Sequence, residues 1–108
     1  MADKELDALR LQEGYKLDIY AGMKNGFVFS HKRKDELERE LVSIKANLDT
    51  SGMQAEMARD YDLKKFLLDR INETIAIQSL ELDMYQEQLD SLSARIEDLE
   101  QVEVEEFA

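Results

Sequence analysis

The sequence predicts an all-α protein: an antiparallel helical hairpin or three-helix body extended by a long C-terminal coiled-coil helix. Three observations carry this. Apolar residues recur at alternating three- and four-residue steps from Leu68 to Leu99. No proline occurs among the 108 residues, so the strongest helix breaker is missing. The second half is dominated by Glu, Lys, Leu, Gln, Ala and Arg, all good helix formers.

The first element is a helix over residues 3–20. Leu6, Leu9, Leu17 and Tyr20 fall near one face, and Asp3, Glu5 and Asp7 suit the positive end of the helix dipole. Gly14 weakens it. Residues 21–31 read as a turn or a small β-hairpin, which would span 20–31. Asn25-Gly26 is a strong signal for a type I′ turn, because that turn needs positive φ at both central residues. Such a hairpin pairs Met23 with Val28 and puts Phe27 and Phe29 on one face with Tyr20. The competing reading is a glycine-capped loop whose aromatics plug the end of the bundle.

A second helix follows over 32–48, with Leu37, Leu41, Ile44 and Leu48 as a single seam. Residues 49–52 read as a tight connection, and Ser51 with Gln54 has the spacing of a capping box. A third helix then runs from 53 to about residue 103. At 1.5 Å per residue it spans roughly 75 Å, against roughly 24 Å for the second. The heptad places Leu68, Ile75, Leu82, Leu89 and Ile96 at a, and Ile71, Gln78, Tyr85, Leu92 and Leu99 at d. A second stripe, Phe66, Ile77, Leu80 and Met84, lies off that seam and asks for a second neighbour, hence the three-helix body over 1–85. Past Tyr85 only the seam remains. Residues 86–108 therefore read as an acidic coiled-coil arm with a frayed tail, and the ten a and d residues as a homo-oligomer interface. In a parallel dimer Arg95 would face Glu100 of the partner. Gln78 costs stability unless it finds a hydrogen bond across the interface.

Charge narrows the partners. The net charge is -11. Residues 1–50 hold nine Lys or Arg against ten Asp or Glu, and residues 51–108 hold five against fifteen. Such a field repels a nucleic-acid backbone, so no direct nucleic-acid contact is expected, and basic partners are steered toward the arm. With no cysteine there are no disulfides or thiolate metal sites. No apolar stretch approaches the length of a membrane span or has the form of a signal peptide, which makes a cytoplasmic protein the expectation.

Few residues suggest chemistry. Lys32, Arg33 and Lys34, next to the single histidine His31, form the only basic cluster. It either grips an acidic partner or is a solvated turn paired with Asp35, Glu36 and Glu38. Phe27 and Phe29 are core or an exposed docking patch, and core is favoured because so small a body has few aromatics to bury. Phe107, with Val102 and Val104, makes the acidic end a candidate docking peptide. Glu97, Glu100, Glu103 and Glu106 recur every three residues, yet a magnesium site needs acids converging from different helices. There is no nucleophile elbow and no glycine-rich phosphate loop, so no catalysis and no cofactor are expected. The reading is a non-enzymatic adaptor or assembly protein that dimerises and binds another protein that offers a basic or apolar groove. Its rival is an acidic inhibitor of the kind phages encode, a nucleic-acid mimic using Asp83, Glu87, Asp90, Glu97 and Asp98 to occupy the basic cleft of a host enzyme.

Overall fold

The computed structural model describes residues 2–50 and 54–107, with side chains over 3–48 and 55–105. It consists of two α-helices, α1 (Ala2–Thr50) and α2 (Gln54–Phe107). Among the described residues there is no strand and no third helix. The expected three-helix body with a small β-hairpin at 20–31 is therefore corrected: residues 21–31 continue α1 without interruption.

The physical reason lies at Asn25-Gly26. A type I′ turn needs positive φ, and no described residue, glycine included, has it. Glycine permits the turn but does not enforce it. Here helix already stands on both sides, so extending it through the glycine is cheaper than nucleating a new element. A heptad also runs unbroken through the segment. Besides Gly26, Arg33 and Glu40, which flank it, the line of reduced exposure along α1 runs through Leu6, Leu9, Glu13, Lys16, Tyr20, Met23, Phe27, Ser30, Lys34, Leu37, Leu41, Ile44 and Leu48. Those positions alternate by three and four, as the seam of α2 does.

Acidic side chains sit in the first turn of each helix, Asp3 and Glu5 in α1 and Glu56 in α2, where they suit the exposed N–H groups. The Ser51–Gln54 capping box falls on residues 51–53 and so lies outside the described residues. On the C-terminal side α2 stays helical to Phe107.

The chain divides into two compact units, residues 1–24 with 80–108 and residues 25–79. In the first, Leu6, Leu89 and Ile96 are buried. The Tyr20 and Tyr85 rings stack across the helix pair, 6.1 Å between centroids and 7° from parallel. Three polar links join the two helices there: Arg10 to Glu100 at 2.8 Å, Arg95 to Glu5 at 3.0 Å, and Lys16 Nζ to Gln88 Oε1 at 3.5 Å. In the second unit Leu37 and Leu41 are buried, Leu37 to 1% exposure, together with Ser30. Lys64 reaches Glu40 at 3.3 Å. Burying one leucine or isoleucine contributes about 1.5–3 kcal/mol, so each unit rests on a narrow seam.

Candidate functional site

The ten residues expected at an oligomer interface all lie on the shielded side of α2. Leu89 and Ile96 are buried, and Leu68, Ile71, Ile75, Gln78, Leu82, Tyr85, Leu92 and Leu99 are half-buried. Their cover is the chain's own α1. Tyr85 stacks on Tyr20, and Gln78 Nε2 lies 3.8 Å from the place a Cβ would take on Gly26. Arg95 and Glu100, expected to pair between subunits, are bonded within the chain to Glu5 and Arg10. One cost remains in the seam. The buried Oε1 of Gln78 has no hydrogen-bond partner among the described residues.

The basic cluster is partly neutralised on its own helix. Arg33 meets Glu36 at 3.2 Å and Glu40 at 4.0 Å, and Lys34 meets Glu38 at 4.0 Å. Lys32 is exposed. The two phenylalanines separate: Phe27 is half-buried in the seam with its ring edge-on to His31, centroids 4.6 Å apart, whereas Phe29 is 71% exposed. Phe107 ends α2, and its side chain is outside the described set.

The acidic end is bound up with the start of α1. The hydrogen bond from Arg10 to Glu100 raises the guanidinium above its ordinary value, against the opposing effect of desolvation. Glu103 is raised by a hydrogen bond with Asp3, then by desolvation and the Asp3 charge, with Arg10 acting in the opposite direction. Lys64 in the second unit is likewise raised, chiefly by its hydrogen bond to Glu40. Among the described residues no group of three or more His, Cys, Asp or Glu side chains could hold a metal ion. No helix there is long and apolar enough to cross a membrane. Among the described residues, one groove of about 310 Å³ lies beside Leu17, Tyr20, Gln86 and Asp90.

What the sequence reading missed is the outward apolar surface. The stripe of Phe66, Ile77, Leu80 and Met84 is visible in the sequence, where it is read as packing on a second neighbouring helix; helices 3–20 and 32–48 are instead one helix, α1, on the a/d seam. These residues are instead exposed, as are Leu63 on α2 and Leu11, Tyr15, Val28 and Val42 on α1. Isolated exposed apolar side chains are ordinary, whereas these recur in order along their helices. The signal that finds it is the length of the α1 heptad: once α1 accounts for the whole seam of α2, nothing is left to cover the second stripe.

No family model, curated protein or solved structure matches the chain. Its class is defined by the fold alone: an all-α pair of long helices, a form suited to a helical protein-interaction module.

Proposed function

We propose that this chain is a non-enzymatic protein-interaction module that acts by occupancy, holding protein partners against the outer faces of its helices. One observation carries the reading. Each helix uses its inward stripe on the other, yet large apolar side chains such as Phe29 and Phe66 remain exposed on the outside. We read the Leu68–Leu99 seam as taken by α1 within the chain, so that association through it would exchange α1 between copies. The outer faces require no such opening. An adaptor role follows, since a self-satisfied helix pair can offer two faces at once.

The test is retention of proteins from a cell extract on the immobilised full chain, compared with a Phe29→Glu/Phe66→Glu variant of equal helicity. Loss of the retained proteins supports the reading; an unchanged set overturns it. A second reading, the acidic inhibitor, is favoured by a specific observation. Asp83, Glu87, Glu97 and Asp98 are exposed and make no ion pair among the described residues. It predicts instead that retained proteins elute with moderate salt and are lost when these four acids become amides.

A further inference from the structure

On the outer side of α2 in the second unit, Leu63, Phe66, Arg70, Glu73 and Ile77 follow one another by steps of three and four, at the c and f positions of the heptad that has Leu68 at a. Leu63, Phe66 and Ile77 are 57%, 58% and 57% exposed. The guanidinium of Arg70 lies 5.8 Å from the centre of the Phe66 ring, and neither Arg70 nor Glu73 makes an ion pair among the described residues. The stripe thus carries one unpaired charge of each sign between apolar ends.

Its order is palindromic. About a centre between Ile71 and Asn72, Phe66 mirrors Ile77 and Arg70 mirrors Glu73; the next step along the sequence is Leu80, which mirrors Leu63. A two-fold axis across an antiparallel helix pair sets mirrored positions opposite each other. Apolar then meets apolar, and the two unpaired charges meet their opposites twice. A parallel pairing would set arginine on arginine and glutamate on glutamate.

We infer that a second copy of this chain docks on this face, antiparallel, with Phe66 against the partner's Ile77 and Arg70 paired with the partner's Glu73. The inference rests on the interaction-module reading and names one partner for it. The reciprocal charge pair is what selects a second copy, since a foreign helix has no reason to repeat the pattern in reverse. The cation–π contact of Arg70 on Phe66 is kept in the pair, with the guanidinium reaching past the ring to the partner's carboxylate.

Sedimentation equilibrium on the full chain tests this, over roughly 1 μM to 1 mM, the range in which weak dimers dissociate. The wild type is expected to dimerise. Phe66→Glu is expected to be monomeric with unchanged helicity, because the side chain it replaces is exposed. Arg70→Glu and Glu73→Arg each set like charges opposite one another and weaken the dimer at least tenfold. The double swap Arg70→Glu/Glu73→Arg restores it. A wild type that stays monomeric throughout overturns the inference, as does a dimer indifferent to Phe66→Glu, which would point to helix exchange through the seam. A double swap no better than either single change also overturns it. None of these outcomes touches the interaction-module reading, which stands or falls on the extract retention above.

Discussion

Replacing Gly26 by alanine separates a continuous α1 from the turn that Asn25-Gly26 suggests. In a helix interior, glycine is less favourable than alanine by about 0.8–1.0 kcal/mol, because it loses more backbone freedom on folding. The gain is realised only if the new methyl fits. A Cβ built on Gly26 meets Gln78 Nε2 at 3.8 Å, an ordinary van der Waals distance, and nothing closer. Gly26→Ala should therefore stabilise the chain by about 1 kcal/mol, or raise the melting temperature by roughly 4 °C or more for a domain near this size. Thermal and urea unfolding followed by circular dichroism reads both quantities. Gly14→Ala serves as the internal standard, because nothing lies within 4 Å of a Cβ there. A type I′ turn would give the opposite sign, since alanine at positive φ is strained by roughly 1 kcal/mol or more. Stabilisation by Gly14→Ala with destabilisation by Gly26→Ala would refute the continuous helix.

Two further predictions follow from single contacts. Gln78→Leu removes a buried oxygen that has no partner and fills the seam with an apolar side chain, for an expected gain of about 1–2 kcal/mol in urea unfolding; a neutral or negative result would show that the oxygen is hydrogen-bonded. Glu103 is raised in the folded chain by its hydrogen bond with Asp3, so its contribution is full below the ordinary glutamate value of about 4.3 and is lost as the pH rises through the folded value. Melting temperature should accordingly rise as pH is lowered from neutral toward about 4–5, and Glu103→Gln should flatten part of that rise; an identical profile for the variant would exclude this hydrogen bond as a cause.

The α2 half of the fold was legible in the sequence because its seam is almost wholly apolar; only Gln78 interrupts Leu68–Leu99. In α1 the helical stretches 3–20 and 32–48 were legible but the continuity between them was not, for a physical reason. Its seam carries Glu13, Lys16, Ser30 and Lys34 at positions where a hydrophobic pattern is sought. Lys16 is tolerated there because its stem lines the interface while its ammonium reaches Gln88, and Lys34 because it finds Glu38. With the register hidden, Asn25-Gly26 reads as a hairpin turn or a glycine-capped loop, although tertiary pairing overrides so small a bias. The same error governed the outer stripe: with α1 divided into two helices, a second neighbour was left over to cover Phe66, Ile77, Leu80 and Met84. The favoured reading of the phenylalanines as a pair was also half right, since Phe27 enters the seam and Phe29 does not.

The cross-helix links also set an order of assembly. Lys64 and Glu40 join residues 24 positions apart, whereas Arg10 with Glu100 and Glu5 with Arg95 each join residues 90 positions apart. Each doubling of loop length adds about 0.6 kcal/mol of closure entropy, so the nearly fourfold longer loops cost about 1.2 kcal/mol more if closed first. Pairing is therefore cheapest next to the connection and grows outward from it, each new layer shortening the loop left to close. Amide protection should decline along the same path, greatest around Leu37 and least around the Glu5–Arg95 bridge. The chain closes like a zipper whose slider starts at the Glu40–Lys64 bridge.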